Sequence, residues 1–520
     1  MMAHAASTLA TMPGFERFCA LAQAIGPAGG IIPVWRDCLL DTDTPVSAFA
    51  KLRRGPFAFL LESAPAGSER WSRYTFLGTE PRGAWRLLTD GTVEDWTPER
   101  GWHGARRPSD PLADLDAVLG RDTPPPLGEL EAELGAFWGG AVGYFGYDVV
   151  RYLERLPSAP PKGLNVPDAM FVMTRGVVII DNFRARARVV MSVPIPPGCS
   201  SAEIRSRYDS ALADIDAILT RLRAPAALEP LDLNPSAPPA TGRSTYSRQD
   251  YMRDVLRIRE YVFAGDCFQA ELGRRIDVEH DFPSAALYRA LRAINPSPYM
   301  FHLVLDGVEL VGSSPEVHVR VADGRVTLRP IAGTRPRGRT AAEDEALSAE
   351  LIADEKERAE HVMLVDLCRN DIGRIAEFGS VSVTELMKIE RYSHVLHIVS
   401  QVEGIVAGDA NALGVFRATF PAGTLTGAPK VRAMEIIDEL EPERRGPYGG
   451  AVGYVAAGGR RMDLAITIRT CIIANGTASV QVAAGVVADS DPAREWEETE
   501  NKARALLTAI GQVRAACRTS

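Results

Sequence analysis

The sequence predicts an α+β protein in two domains, and three observations carry that reading. Residues 224–244 (APAALEPLDLNPSAPPATGRS) hold five prolines and few core-forming side chains, so they mark an extended, poorly packed linker between residues 15–223 and 245–520. Upstream of it the short strand-like runs FAFLLES, GVVIID and ARVVMSV share the chain with the helical stretch AEIRSRYDSALADIDAILTRLR. Downstream, helical and strand-turn-strand patterns again alternate. At 520 residues the chain is too long for a single core, and 46% hydrophobic with 24% charged residues is an ordinary globular composition.

The downstream elements follow in order. Ser247 to Asp250 fits a capping box, and Tyr251, Val255, Ile258 and Val262 recur at helical spacing until Gly265 supplies a stop. VHVRV, Asp323-Gly324 and RVTLRP form a β-hairpin whose exit strand runs into Gly333-Thr334, and residues 342–370 read as helical. GGAVGYVAAG, MDLAITIRTCII and TASVQVAAGVV, separated by GGRR and Asn475-Gly476, read as an antiparallel meander with Arg469 in mid-strand, and Asp491-Pro492 caps a last helix. GGAVGY occurs at both 139–144 and 449–454, but no longer period accompanies it, and a short glycine-rich strand recurs easily.

Charge and cysteine usage narrow the function. With 58 basic and 67 acidic residues the net charge is −9, and no basic block offers to neutralise phosphates, so a nucleic-acid partner is not expected. No apolar run approaches the roughly 20 residues of a membrane span, and the start lacks a signal-peptide pattern, so the expectation is a cytoplasmic protein. The seven cysteines form no C-x-x-C pair, which argues against a zinc site or a disulfide framework.

Two acidic faces are the strongest local chemistry. Glu357 and Glu360 stand three apart on one helix; Glu495, Glu498 and Lys502 fall at i, i+3 and i+7 on another, beside an apolar stripe of Thr499, Ala503, Leu506, Ile510 and Val513. Met face to face, such carboxylates suit Mg²⁺, although a solvated charged face is the commoner use of this spacing. Thr426 and Gly427 stand where the positive end of a helix would meet a carboxylate, or form only a cap. Arg469, opposite Val482 and next to Ala483, Ala484 and Gly485, offers either a carboxylate fork or a structural ion pair. His394 and His397 read equally well as packed histidines.

Together the strings PIAGTRPRG (330–338), DEKERAEHVMLVDLCRNDIGR (354–374), PAGTLTGAPK (421–430), YGGAVGY (448–454) and EETENKARAL (497–506) resemble the chorismate-utilising enzyme family, and within it the anthranilate synthase component I group. With LLES and SRYTFLG near the start, the resemblance covers almost the whole chain. It implies antiparallel sheets packed as a sandwich with flanking helices, a regulatory domain (15–223) touching a catalytic one (245–520), and Mg²⁺-dependent conversion of chorismate and ammonia to anthranilate and pyruvate. The aminodeoxychorismate synthases of folate synthesis share most of these motifs.

By the same resemblance Glu360 and Glu498, with Glu357 and Glu495 beside them, match metal ligands. Gly333, Thr334, Tyr448, Arg469 and the backbone of Ala483, Ala484 and Gly485 match substrate contacts, Ala483 standing where the family has glycine. Glu316 matches the general acid that protonates the departing C4 hydroxyl. His397, Thr426 and Lys502 match other catalytic-pocket positions, and Gln269 replaces the lysine base of relatives that add water. Gly273 departs from the common serine. Ala332 stands where the folate-pathway relatives carry lysine. Glu62 and Ser63, with Pro298, Tyr299 and Met300, match a feedback site for L-tryptophan. Ammonia is implied to come from a separate glutamine amidotransferase subunit, since no G-x-C-x-G nucleophile turn occurs in this chain.

Overall fold

The structure is a computed structural model that describes residues 10–519 apart from 27, 64–72, 227, 393–394 and 409. Two twelve-stranded antiparallel sheets dominate it. In the first, the strands run Gly30–Leu39, Arg186–Ile195, Gly176–Asp181, Tyr74–Thr79, Phe57–Glu62, then Tyr299–Leu305, Val308–Ser314, Thr470–Ala474, Thr477–Val486, Gln269–Glu279 and Arg243–Ser244. The second runs Ile331–Pro336, Val395–Ile405, Arg325–Leu328, Val317–Ala322, Met462–Ile466, Ala451–Ala456, then Gly140–Phe145, Ala169–Met173, Gly83–Leu87, Val93–Thr97 and Gly101–Arg106. Gly427–Ala428 and Ser382–Arg391 pair off these paths.

Neither half of the chain owns a sheet. Each sheet joins strands from both halves at one central pair, Phe57–Glu62 with Tyr299–Leu305 and Gly140–Phe145 with Ala451–Ala456. The inner faces share one core, in which Phe59, Val177, Leu303 and Ile472 of the first sheet meet Tyr144, Val172 and Val452 of the second. Phe76 and Tyr454 touch across the interface with ring centroids 5.8 Å apart. The helices Ser201–Arg223 and Pro492–Thr519 cover the outside of the first sheet, and Glu355–Gly373 packs on the second. The expected sandwich with flanking helices is therefore present.

The two copies of GGAVGY are neighbours, Gly143 opposite Gly453 in one ladder. On either side of each central pair the strand order is mirrored. Glu62's strand is followed outward by chain segments in the same sequence of connections as Met300's strand, ending at Gly30–Leu39 on one edge and near Gln269–Glu279 on the other. The longer period that the sequence lacks is thus present in the topology.

Several local expectations hold, and two do not. Ser247 Oγ accepts from the Asp250 N–H at the start of Arg248–Ala264, Gly265 ends that helix in the left-handed region, and Asn475-Gly476 turns with φ 51° and 75°. Residues 342–370, however, form two helices, Ala341–Ala353 and Glu355–Gly373, because the Asp354 carboxylate accepts from the N–H groups of Lys356 and Glu357 and starts a new helix. MDLAITIRTCII is not one strand either. Met462–Ile466 belongs to the second sheet and Thr470–Ala474 to the first, and Arg469, at φ 50°, stands in the crossing between them. Periodicity cannot show such a crossing, since both strands are apolar and only three residues separate them.

Candidate active site

The last helix positions three of the acidic-face residues. Asp491 caps it by accepting from Ala493 and Arg494, and Thr499, Ala503, Leu506, Ile510 and Val513 are all buried, which leaves Glu495, Glu498 and Lys502 on the flank. Lys502 Nζ donates to the Ala483 carbonyl at 2.8 Å and pairs with Glu498 Oε1 at 2.7 Å. That bond ties the helix to the strand carrying Ala483, Ala484 and Gly485. The same strand pairs with Gln269–Glu279, Glu271 opposite Gly485. A Cβ at 485 would fall 2.6 Å from Gln269 Nε2 and 2.9 Å from Glu271 Oε1, so a larger residue would push those two side-chain ends aside. Gln269 is buried, and its Oε1 has no hydrogen-bond partner among the described residues.

Glu316 follows the strand Val308–Ser314, where its carbonyl accepts from Ile466 N–H at 3.0 Å. Burial pushes its carboxyl up, and Thr424 Oγ1, donating at 3.2 Å, with the charges of Lys502 and Arg469, recovers only part of that rise. A carboxyl held above its ordinary range suits proton donation. Burial depresses the Arg469 guanidinium, which Glu316 and Tyr448 support. Tyr448 is buried, and desolvation raises its hydroxyl far above the ordinary tyrosine range.

On the other wall the strand Ile331–Pro336 pairs with Val395–Ile405 and is bulged at Gly333 (φ 66°). A Cβ there would be strained and would lie 3.1 Å from Glu357 Oε2. His397 Nδ1 lies 2.9 Å from the Gly333 carbonyl, which can only accept, so Nδ1 carries the proton and Nε2 is an acceptor; Thr334 Oγ1 is 3.2 Å from the same nitrogen. Burial lowers the pKa of His397, keeping it neutral near pH 7. Its neighbour His394 lies outside the described residues. Thr426 is fully buried, its hydroxyl turned to the carbonyls of Ala422 and Gly423.

The carboxylates of the two helices crowd one another. Burial raises Glu360, and the charges of Glu357 and Glu498 raise it further; burial also raises Glu495, with Glu498 adding to it. Among the described residues no three His, Cys, Asp or Glu side chains converge into a metal cage. Glutamate oxygens are hard donors, and Mg²⁺ accepts one or two carboxylates and fills its remaining positions with water and substrate oxygens. The residues present therefore fit the implied ion.

Three contributors were not singled out in the sequence, although Thr424 and Arg335 stand inside motifs quoted above. Glu271 is buried with its pKa raised to about 7, first by desolvation, with Glu498 and Glu360 adding to it and Lys502 and Arg445 opposing it. Thr424, in the same PAGTLTGAPK string as Thr426, is the threonine that reaches Glu316. Arg335 holds Asp354 at 2.8 Å and Glu357 at 3.4 Å. Only the alternation of Gln269 and Glu271 on one strand face could have signalled any of these. Gly273 also finds a reason. Its N–H donates to Glu441 Oε1 at 2.7 Å, and a Cβ would fall 2.8 Å from that oxygen, which belongs to the buried Arg445–Glu441 pair.

Glu62, Ser63, Pro298, Tyr299 and Met300 come together elsewhere, on the wall of a cavity of about 830 Å³ between the sheets. Glu62 faces Met300 in the ladder and accepts from Tyr288 Oη at 2.8 Å and Arg292 at 2.7 Å; Tyr299 Oη donates to Asp463 at 3.0 Å. Ala332 is buried in the strand Ile331–Pro336, opposite Ile398.

The profile of the family described as chorismate binding enzyme matches residues 79–508. Anthranilate synthase component 1 of Acetivibrio thermocellus is 44% identical over 494 residues, 93% of this chain and 97% of the relative. The protein of the same name from Pseudomonas putida is 46% identical, covering 92% and 95%. Anthranilate synthase component I from Streptococcus pneumoniae, a crystal structure, superposes with a TM-score of 0.73 at 35% identity over 85% of this chain and 93% of that one. A family profile over residues 79–508, and a sequence and fold that match over most of the chain, place this chain in the chorismate-binding enzyme family, alongside the anthranilate synthase component 1 proteins.

Proposed function

We propose that the chain is the large component of an anthranilate synthase, a cytoplasmic Mg²⁺-dependent lyase of tryptophan biosynthesis that converts chorismate and ammonia to anthranilate, pyruvate and water. The observation that carries it is Glu316, a buried carboxyl with a raised pKa that feels the charges of Arg469 and Lys502, Lys502 being paired with Glu498, whose charge in turn bears on Glu360. Glu360 and Glu498, with Glu357 and Glu495 nearby, would hold Mg²⁺, which when bound supplies charge neutralisation for the ring carboxylate of chorismate.

The chain's own groups do the rest. Arg469 and the backbone of 483–485 bind a carboxylate, and Thr334, Tyr448 and the bulged Gly333 backbone help orient the ring. Ammonia bonds to C2 while Glu316 gives its proton to the C4 hydroxyl, which leaves as water. The C2 proton then departs and the enolpyruvyl C–O bond breaks, giving pyruvate and the aromatic ring. His397, neutral with Nε2 free to accept, suits the proton transfers of this second stage. Gln269 cannot deprotonate water, which favours ammonia as the nucleophile, and a separate glutamine amidotransferase subunit supplies it.

The cavity between the sheets is the feedback site for L-tryptophan, read from Glu62, Ser63, Pro298, Tyr299 and Met300 on its wall. Aminodeoxychorismate synthase is the alternative, and Ala332 disfavours it, since a methyl group offers no nucleophile to the ring. Anthranilate fluorescence with saturating ammonium should fall at least 100-fold in Glu498→Gln, with the remaining activity needing more Mg²⁺. Near-parental turnover at parental Mg²⁺ would remove Glu498 from the site and with it this reading.

A further inference from the structure

The mirrored topology gives several residues of the active site a counterpart in the other half of the molecule. Leu77 pairs with Val178 as Val311 pairs with Cys471, and Val178 with Val189 as Cys471 with Val480. Trp85 pairs with Phe171 as Val319 does with Leu464. On the helices, the buried Ile215, Leu219 and Leu222 correspond to Leu506, Ile510 and Val513. Carried along these registers, Ser192, Val193 and Pro194 answer to Ala483, Ala484 and Gly485, and the prolines 81 and 315 coincide.

The counterparts of the catalytic groups are all changed, the acidic ones to arginine and the basic ones to small residues. Arg82 stands for Glu316, Arg207 for Glu498 and Ala211 for Lys502, while Gly176, next to Arg175, stands for Arg469. These positions are not filled in. Pro81, Arg82, Arg175, Ser192, Arg207 and Ala211 line an open cleft of about 550 Å³, to which Arg54 also contributes. At the two positions answering to Glu316 and Glu498 an arginine replaces a glutamate, while Glu80, Glu99 and Asp214 line other parts of the cleft.

The guanidinium groups there are not all neutralised. Arg82 is bound to Asp122, and Arg175 to Asp214 at 2.7 Å. Arg54 and Arg207 have no carboxylate within ion-pair distance among the described residues. Ser192 Oγ, buried on the same wall, has no hydrogen-bond partner among them either. Trp96, Met191 and the prolines 56, 98 and 194 give the cleft rigid apolar walls. Forked guanidiniums select carboxylates, and flat apolar walls between them select a ring.

We propose that this cleft is a second ligand site, which takes a small ring-bearing dicarboxylate and performs no chemistry on it. Glu80, Glu99 and Asp214 also line it, but none of them stands at the position of Glu316 or Glu498, and no ammonium group stands at that of Lys502. Its ligand is held by Arg54 and Arg207. The assignment is independent of the reaction proposed for the other cleft, because it rests on topology and on these side chains alone.

The test uses isophthalate as the probe, titrated calorimetrically into the full chain without Mg²⁺. Three proteins are compared: the parent, the double variant Arg54→Ala/Arg207→Ala, and Arg469→Ala. The expected result is a binding component in the parent that weakens at least tenfold in the double variant and persists in Arg469→Ala. An unchanged melting temperature and unchanged anthranilate formation in the double variant show that the cleft, and not the fold, was altered. No binding to the parent at millimolar probe, or binding lost in Arg469→Ala and kept in the double variant, overturns the proposal.

Discussion

Single side chains set the chemistry, and two carboxyls at the active cleft make separable predictions. Burial outweighs Thr424, Lys502 and Arg469 and holds the Glu316 carboxyl above its ordinary range, so Glu316→Gln should lower kcat by about 10³-fold with little change in KM for chorismate, as expected for loss of a general acid. A parallel rise in KM would mark Glu316 as a binding group instead. Glu271, with its pKa raised to about 7, opposes folding once it ionises: the cost is absent at pH 4.5 and complete above about pH 7. Glu271→Gln should therefore melt a few degrees above the parent at pH 8, the gap closing at pH 5, as scanning calorimetry would show. A gap that widened toward acid would reverse the sign and contradict the buried-carboxylate account. Glu316 was legible because SSPE is a family string; Glu271 was not, because burial is a property of the strand pairing and not of the letters around it.

At the scale of elements, the acidic helices were legible from spacing and caps, whereas their junctions were not. The last helix and its stripe follow from Asp491-Pro492 and an apolar period. The break at Asp354 was missed because helix propensity runs unbroken through residues 342–370 and one side chain decides the matter. Asp354 both caps the helix of Glu357 and Glu360 and pairs with Arg335. Asp354→Ala should cost about 1 kcal/mol in urea unfolding, in the usual range for a lost cap, and raise the Mg²⁺ concentration needed for half-maximal activity. Unaltered stability and Mg²⁺ dependence would show that the helix start does not position the carboxylates. The Arg469 crossing was hidden for a related reason, since two apolar strands in different sheets read as one when the turn between them contains neither glycine nor proline.

At the scale of the whole molecule, the sandwich was legible only through the family resemblance, and the doubled architecture only as the repeated GGAVGY: one shared hexapeptide survives in sequence where whole strand orders survive in space. The doubling places the central cavity on the join of both halves, Glu62 and Ser63 from one side and Pro298, Tyr299 and Met300 from the other. Ser63→Phe should fill that wall and raise the tryptophan concentration for half-inhibition at least tenfold while sparing kcat, because only the coupling is removed. Coincident inhibition curves would move the effector elsewhere. The active cleft is the central claim, and it stands on the regiochemistry of one bond. Incubating the chain with chorismate, Mg²⁺ and ¹⁵N-ammonium and reading the product by NMR should show nitrogen bonded to the ring carbon adjacent to the carboxylate, with pyruvate released in equal amount. Nitrogen on the carbon opposite the carboxylate, with the enolpyruvyl group retained, would contradict the account.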